Sequence, residues 1–352
     1  MTGSYEFELG RSADSLVNEM LKLKQNEVVA ITADTESDER VVNATARAAF
    51  SAGAKPIVVW VPAPLGVGKD ADPMLPVNAL GALLKECDAW VEFNNKWLLY
   101  STPFEIAIKE NRRIRYICLV GMNADMMVNL IGRVNNHALK KLLKKVAGIT
   151  QKVTHVKIVT PGGTNIEFDN DPDRELIVHC GDIPPGKYEM LPGQISWAPV
   201  LESINDTIVF DGSIVPPIGL LKERVKLTIR KGRIERIDGG VEAREFESFL
   251  KRFNDPNMFR LAHVSYGFNP GAKLTGNVVE DERIWGCTEW GIGYVGPRLI
   301  PPDGIPAKSH TDGICSNSSA WLDDLQMMDK GKVFGPKELV DLSNLLTKET
   351  GR

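Results

Sequence analysis

Two potential metal ligands stand two residues apart in the segment His310-Thr311-Asp312. Side chains at positions i and i+2 of an extended strand leave the same face, so this imidazole and this carboxylate could bind one ion together. A proline-rich loop, residues 301–306, precedes the pair, and Gly313 follows it. The pattern therefore predicts that the pair lies at the mouth of a strand, where one further ligand would complete a metal site.

The third ligand is sought among the other histidines, of which the chain has few: five in all. His263 interrupts an apolar segment, residues 261–270, that is typical of a buried strand ending in a Gly/Asn/Pro turn. Two imidazoles and one carboxylate form the facial triad of non-haem Fe(II) oxygenases, and they also suit catalytic Zn(II) or Mn(II). The alternative is a polar turn beside a hydrogen-bonded core histidine, and the spacing alone leaves both interpretations open.

Composition bounds the class of protein. A length of 352 residues favours two domains, and 43% hydrophobic with 25% charged residues is ordinary globular usage. A net charge of −4 without a dense basic run argues against nucleic acid or an acidic membrane as partner. The five cysteines form no C-x-x-C pair, which fits a reducing compartment. Because the first residues lack a basic region followed by an apolar one, and no apolar run approaches roughly 18 residues, we expect a cytoplasmic protein without a membrane partner.

Two different patterns of predicted secondary structure divide the chain into two predicted domains. In residues 1–150, helices alternate with continuously apolar strands, which predicts an α/β domain with a doubly wound, mainly parallel sheet. One long helix is predicted over residues 124–143. Residues 151–352 contain short strands, one of them over residues 207–215, between Gly- and Pro-rich turns, which predicts a β-rich α+β domain. The candidate ligands fall in the second part, which we therefore expect to be the metal-binding catalytic domain.

Four segments of the second domain resemble the metal-binding domain of aminopeptidase T-type metallopeptidases; they are residues 261–272, 276–283, 286–293 and 309–312. The resemblance extends more weakly over most of the chain. Peptidases of this type carry a two-metal site, whose five ligand positions match His263, Glu282, Glu289, His310 and Asp312. The chain departs at two of these positions, because His263 replaces a glutamate and Glu289 replaces a histidine.

The first departure is shared with the 2,5-dihydroxypyridine 5,6-dioxygenases, which the chain also resembles around His263, His310 and Asp312. Those enzymes bind one Fe(II) through these three positions. The resemblance implies an extradiol-type dioxygenase that uses Fe(II) and O2 to open a hydroxylated aromatic or N-heteroaromatic small molecule, and it implies a homo-oligomer. Replacing a bridging carboxylate by an imidazole also removes negative charge that a two-cation site needs.

Three further residues are candidates for catalysis. The dioxygenases have an acid/base histidine at the position of Tyr100, whose phenol, with an ordinary pKa of about 10, is a proton donor at neutral pH and a poor base unless a cation such as Lys96 lowers that pKa. With Glu282 and Glu289 included, all five positions that match the peptidase site still carry potential metal ligands. The alternative function is therefore an aminopeptidase-like hydrolase using Zn, Mn or Co, with either glutamate as second-metal ligand or base. A surface turn is the simpler account of Glu282, and packing at a helix edge that of Tyr100.

Overall fold

The computed structural model describes residues 3–348 and divides the chain into two compact units. Unit 1 comprises residues 1–134 and 181–192, and unit 2 comprises residues 135–180 and 193–352. This division differs from the predicted boundary after residue 150. The helix at 136–150 belongs to unit 2, whereas residues 181–192 belong to unit 1 because they add a strand to its sheet. The boundary after residue 150, as a limit between independently folding domains, stays a prediction.

The strands are short, mostly three to seven residues, as the frequent turns of the sequence predict. In chain order they are β1 Val28–Asp34, β2 Lys55–Val61, β3 Ala89–Glu92, β4 Arg115–Cys118, β5 His155–Val159, β6 Asn165–Asp169, β7 Ile177–His179, β8 Lys187–Met190, β9 Gln194–Trp197, β10 Asn205–Phe210, β11 Ser213–Val215, β12 Gly219–Leu220, β13 Val225–Arg230, β14 Arg233–Asp238, β15 Leu261–Gly267, β16 Thr288–Val295, β17 Ile305–Cys315, β18 Ser319–Leu322, β19 Leu325–Asp329 and β20 Lys332–Val333.

Within residues 3–348, the first five α-helices lie in unit 1 and the other four in unit 2. In chain order they are α1 Gly3–Asp14, α2 Glu39–Ser51, α3 Val77–Glu86, α4 Thr102–Glu110, α5 Ala124–Met127, α6 Asn136–Thr150, α7 Val241–Arg252, α8 Val278–Asp281 and α9 Lys337–Lys348. Two π-helical segments, Ser15–Met20 and Val128–Gly132, continue α1 and α5. The predicted single helix over residues 124–143 is wrong, because the helical segment ends at residue 132. A new helix, α6, begins after Asn135, whose side chain accepts a hydrogen bond from the Ala138 amide. No helix within residues 3–348 is long and apolar enough to cross a membrane.

Unit 1 contains a five-stranded sheet in the order β2-β1-β3-β4-β8, with every pair parallel. Strands β1, β3 and β4 are buried along almost their whole length, which explains why their sequences are continuously apolar rather than alternating. The predicted parallel sheet with connecting helices is confirmed. Coverage of both its faces by helices stays a prediction. No pattern in the sequence predicted that β8, from far along the chain, completes this sheet.

Unit 2 contains two antiparallel sheets, which confirms the predicted β-rich texture. The eight-stranded sheet has the order β14-β13-β10-β6-β5-β18-β19-β20, and the seven-stranded sheet has the order β12-β11-β17-β16-β15-β9-β7. The predicted single strand over residues 207–215 is wrong. The chain turns at Asp211 and Gly212, whose amides both donate to the Ile314 carbonyl, so that β10 and β11 join different sheets.

Candidate metal centre

Two strands of the seven-stranded sheet carry the predicted ligands. His263 lies on β15, and His310 and Asp312 lie on β17, with β16 between them. The predicted location at the mouth of a strand is wrong, since β17 begins at Ile305 and the pair lies near its middle. The antiparallel register aligns His263 with Gly291 on β16 and Gly291 with Asp312. The side chains of His263, His310 and Asp312 therefore lie on one face of the sheet.

Gly291 makes this convergence possible. Neighbouring strands lie about 4.8 Å apart, so side chains from β15 and β17 must cross about 10 Å of backbone spacing to meet above β16. A Cβ atom at Gly291 would lie 2.3 Å from His263 Nε2 and 2.6 Å from Cδ2 of the same ring. The imidazole therefore occupies the space that any other residue at this position would fill. Register shifts in β15 before His263 and in β16 after Gly293 further adjust the strands beside the site.

The three side chains bring their donor atoms together. His263 Nε2 lies 3.2 Å from His310 Nε2, and Asp312 Oδ1 lies 2.9 Å from His310 Nε2 and 3.7 Å from His263 Nε2. The two imidazole planes are inclined by only 20°. Within the described part of the chain, these are the residues whose ligand atoms form a cluster able to hold a metal ion.

The electrostatic environment favours metal-ready forms of His263 and Asp312. Burial lowers the pKa of His263 to about 4, and the neighbouring His310 contributes in the same direction, so the ring is neutral at pH 7. Burial also opposes the charged forms of the other two residues. The attraction between His310 and Asp312 outweighs that penalty, raising the pKa of His310 and lowering the pKa of Asp312. The carboxylate is therefore ionised at neutral pH, as a metal ligand requires.

The far nitrogen of His310 is fixed by the backbone. Its Nδ1 atom lies 2.7 Å from the Tyr294 carbonyl oxygen, which can only accept a hydrogen bond. Nδ1 is therefore the donor, and Nε2 presents its lone pair toward His263 and Asp312 when the ring is neutral. The far nitrogen of His263 differs, because Nδ1 has no hydrogen-bond partner among residues 3–348.

Glu289 lies on β16 beside this nitrogen. Its side chain is fully buried, and Oε2 is 3.5 Å from His263 Nδ1. Burial raises the pKa of Glu289 well above its ordinary value, and the nearby charges of Asp312 and Glu282 raise it further. Glu289 thus belongs to the same group of ionisable side chains as the three donors.

Glu282 is not the surface turn that the charged sequence around it suggested. It ends the short helix α8, and its carboxylate accepts hydrogen bonds from Gln194 Nε2 at 2.9 Å and from Arg283 Nη1 at 3.0 Å. Burial raises the pKa of Glu282 to about 7, although Arg283 lowers it. A carboxyl group with this pKa can both accept and release a proton near neutrality.

Tyr100 belongs to unit 1, whereas the other five candidates lie together in unit 2. It precedes α4 in the left-handed backbone region, with φ of +69°, which is uncommon for a residue with a side chain. Its phenol is 49% exposed, and its oxygen lies 3.4 Å from the Tyr188 hydroxyl. Lys96, suggested as a cation for the phenol, has its ammonium 4.0 Å from Glu36.

Comparison with known proteins assigns the family. The family model described as NicX: 2,5-dihydroxypyridine 5,6-dioxygenase matches residues 15–335. The chain belongs to this dioxygenase family. The resemblance seen in the sequence motifs is thereby confirmed. A curated relative, the 2,5-dihydroxypyridine 5,6-dioxygenase of Pseudomonas putida KT2440, is 26% identical over 344 residues, covering 92% of this chain and 95% of the relative.

Two solved structures share the fold of the family. The 2,5-dihydroxypyridine dioxygenase from Pseudomonas putida KT2440 superposes with a TM-score of 0.78 and 21% identity, covering 95% of this chain and 99% of that one. Wild-type AmpT from Thermus thermophilus superposes with a TM-score of 0.68 and 12% identity, covering 94% of this chain and 100% of that one. The wider resemblance to aminopeptidase T-type proteins is thus confirmed for the fold.

Sequence reasoning missed the residues that support the cluster. Gly291 and Gly293 lie in one of the four segments that resemble the peptidases, and glycines inside a strand are the sequence signal for a close approach of another group. The Tyr294 carbonyl could not have been found, because it acts through the backbone. Gln194, which binds Glu282, lies on β9, and only the sheet order brings it near.

Proposed function

We propose that this chain is a mononuclear non-haem Fe(II) dioxygenase that cleaves a hydroxylated aromatic or N-heteroaromatic ring similar to 2,5-dihydroxypyridine. The observation that carries the proposal is the convergence of His263, His310 and Asp312 on one face of β15, β16 and β17. Membership of the dioxygenase family supports the reaction class. The printed name of the Pseudomonas putida relative supports the substrate class.

The donor atoms fit a single ion bound by three ligands. Atoms about 2.1 Å from a metal and at right angles to one another are about 3.0 Å apart. The observed separations are 3.2 Å, 2.9 Å and 3.7 Å, so only the His263–Asp312 pair must draw closer. Three ligands on one face leave the opposite positions open, which is the arrangement of Fe(II) oxygenases.

A bound Fe(II) would supply open coordination positions and the redox chemistry by which both atoms of O2 enter a ring as a ring bond breaks. The chain's own residues supply the setting. His310 keeps its Nε2 lone pair available because the Tyr294 carbonyl holds Nδ1–H. Asp312 contributes the single negative charge of the set, so these three residues would leave a bound Fe(II) with a net positive charge, which favours an ionised hydroxyl on the substrate.

Proton transfer requires a separate group, because opening a hydroxylated ring moves protons as well as electrons. Glu282 fits this role, since its pKa of about 7 allows it to take a substrate proton and return it at neutral pH. We further propose that the half-exposed phenol of Tyr100 donates a proton to the substrate. Its unusual backbone conformation is consistent with a residue held for function.

A second candidate function is a Zn, Mn or Co hydrolase of the aminopeptidase type. The observation that favours it is the presence of Glu282 and Glu289, two buried carboxyl groups whose charges interact with that of Asp312. With two divalent ions, these groups would add the ligands that a two-metal site needs. The residue that disfavours it is His263, since an imidazole cannot bridge two cations as a carboxylate does.

Anaerobic purification followed by metal analysis and an oxygen-electrode assay tests both functions. We expect one Fe per chain and one O2 consumed for each 2,5-dihydroxypyridine ring lost from the ultraviolet spectrum. His155→Ala is the control for substitutions of the two candidate histidine ligands and should retain iron and turnover. His155 is exposed and paired with Asp169 on the other sheet of unit 2. Two metal ions per chain, with release of N-terminal amino acids from peptides and no O2 uptake, would establish the hydrolase instead. The cytoplasmic location and the homo-oligomeric state stay predictions.

A further inference from the structure

We propose that Glu289 positions His263 by accepting the Nδ1–H hydrogen bond of its imidazole. This inference rests on the proposed function for the assignment of His263 as a metal ligand. It gives Glu289, which occupies the place of a peptidase metal ligand, a different role in this chain. Glu289 would orient a ligand and would not itself bind the ion.

The first support is a matched pair of buried polar atoms without partners. Neither carboxylate oxygen of Glu289 makes a hydrogen bond with another residue among 3–348, and His263 Nδ1 makes none either. Glu289 is fully buried. Buried donors and acceptors are nearly always paired in folded proteins because an unpaired one is costly. Here the unpaired donor and the unpaired acceptor are neighbours, 3.5 Å apart.

The second support is the direction in which the imidazole faces. The ring lies over Gly291 and directs Nε2 toward His310 and Asp312. The two nitrogens of an imidazole point to nearly opposite sides, so Nδ1 faces away from the donor cluster. Glu289 stands two residues before Gly291 on β16 and therefore shares its face of the sheet. It meets the ring on the Nδ1 side.

The third support is a comparison of the two histidines. His310 Nδ1 is held by the Tyr294 carbonyl at 2.7 Å, and metal-binding histidines regularly have such a partner on the nitrogen that does not bind the ion. Glu289 is the acceptor placed to do the same for His263. The present 3.5 Å exceeds an ordinary N–H···O length by about 0.5 Å. A small rotation of the ring would close that gap.

Other partners for Glu289 are less suitable. Ser265 faces it across the β15–β16 ladder and lowers the pKa of Glu289, but the Ser265 hydroxyl is shared with the Ser196 hydroxyl, which lies 2.6 Å from it. A protonated Glu289 can donate a hydrogen bond to Asp312, whereas the two carboxylates repel each other when both are ionised. The imidazole Nδ1–H is the neighbouring donor that suits a carboxylate oxygen of Glu289.

The test compares Glu289→Met with Glu289→Gln, using Zn(II) as a probe that needs no O2. Methionine preserves most of the volume but removes the acceptor, whereas glutamine retains an oxygen that accepts the Nδ1–H bond. We expect Glu289→Met to weaken Zn(II) affinity by about 10- to 100-fold, as losses of such partners do, and Glu289→Gln to change it several-fold less. Glu280→Gln is the matched control, a buried carboxyl group of unit 2 bonded instead to Lys273 N and Thr275.

Nuclear magnetic resonance gives a readout that a merely structural role would not change. With only five histidines, ¹⁵N-histidine labelling resolves the imidazole protons of the Zn(II)-loaded protein. We expect a slowly exchanging, downfield Nδ1 proton from both His263 and His310 in the parent. In Glu289→Met, the His263 signal should be lost while the His310 signal, held by the backbone, remains as an internal control.

Two results with Glu289→Met would overturn the proposal. One is a Glu289→Met protein that retains parental Zn(II) affinity and the His263 Nδ1 signal. The other is a parent that binds two Zn(II) ions and loses one on this substitution, since Glu289 would then be a ligand. If Glu289→Met fails to fold, Glu289→Gln decides, because loss of the His263 signal despite its amide oxygen also contradicts the role. Absence of ring cleavage with intact Zn(II) and resonance results would count against the proposed function alone.

Discussion

Gly291→Ala should displace the His263 ring, because the added methyl group would occupy the space that this ring fills. The new methyl group would lie 2.3 Å from His263 Nε2, 2.6 Å from Cδ2 and 2.7 Å from Cε1. No backbone strain accompanies the change, because Gly291 is not among the residues with positive φ. The perturbation is therefore a single methyl group pressed against one imidazole.

The size of the effect can be estimated from contact distances. Non-bonded heavy atoms pack at about 3.5 Å or more, so the ring must retreat by about 1 Å. Metal–ligand distances tolerate only about 0.2 Å, and the retreat therefore removes His263 from the set of ligands. We expect metal affinity to fall by at least about 100-fold, the upper range for loss of a mere supporting partner. The added crowding should lower the free energy of unfolding by about 1–3 kcal/mol.

Isothermal titration of the metal-free protein with Co(II) under anaerobic conditions measures the affinity. Gly148→Ala is the control, since a Cβ atom there, on the exposed side of α6, meets nothing within 4 Å. We expect that control to bind Co(II) like the parent and to be slightly more stable, because alanine favours a helix over glycine. Parental Co(II) affinity in Gly291→Ala would refute both the ring position over Gly291 and the assignment of His263 as a ligand.

Four further outcomes are expected. His310→Ala and Asp312→Ala should each remain folded by circular dichroism but lose bound iron, and full iron occupancy with turnover in either would contradict the triad. His263→Glu adds a carboxylate and should bind more than one Zn(II) per chain while losing O2 uptake; near-parental ring cleavage would instead remove His263 from the ligand set. Tyr100→Phe should lower kcat by about 100-fold or more at unchanged metal affinity if its phenol donates the proton, and unchanged kcat would exclude that role. Burial raises the pKa of Glu92 to about 7 from 4.5, so the folded chain retains a proton that the unfolded chain releases, and stability falls as pH rises between these values. In urea unfolding, Glu92→Gln should lack this fall and gain up to about 3 kcal/mol on the parent by pH 8, whereas an equal difference at pH 5 and pH 8 would contradict the buried protonated carboxyl.

The identity of the three candidate ligands and their chemistry could be predicted from sequence. Spacing of two places His310 and Asp312 on one face of any strand, because side chains alternate in every extended backbone. The motif resemblance sets His263 where the peptidases carry a glutamate, and under the proposed function this loss of negative charge favours one ion. Continuous apolar strands also predicted the parallel sheet of unit 1, since burial on both faces leaves no polar alternation.

Tertiary structure alone decided how the ligands meet. Their convergence depends on β16 lying between β15 and β17 in a register that opposes Gly291 to both His263 and Asp312. Register arises from pairing between segments far apart in the chain, and no local pattern encodes it. The same cause hid the burial of Glu282 and the position of Glu289, because both depend on neighbours from other strands. Glu282 lies in a charged segment that suggested a surface turn. Its carboxylate is instead hydrogen-bonded to Gln194 and Arg283 and largely removed from solvent.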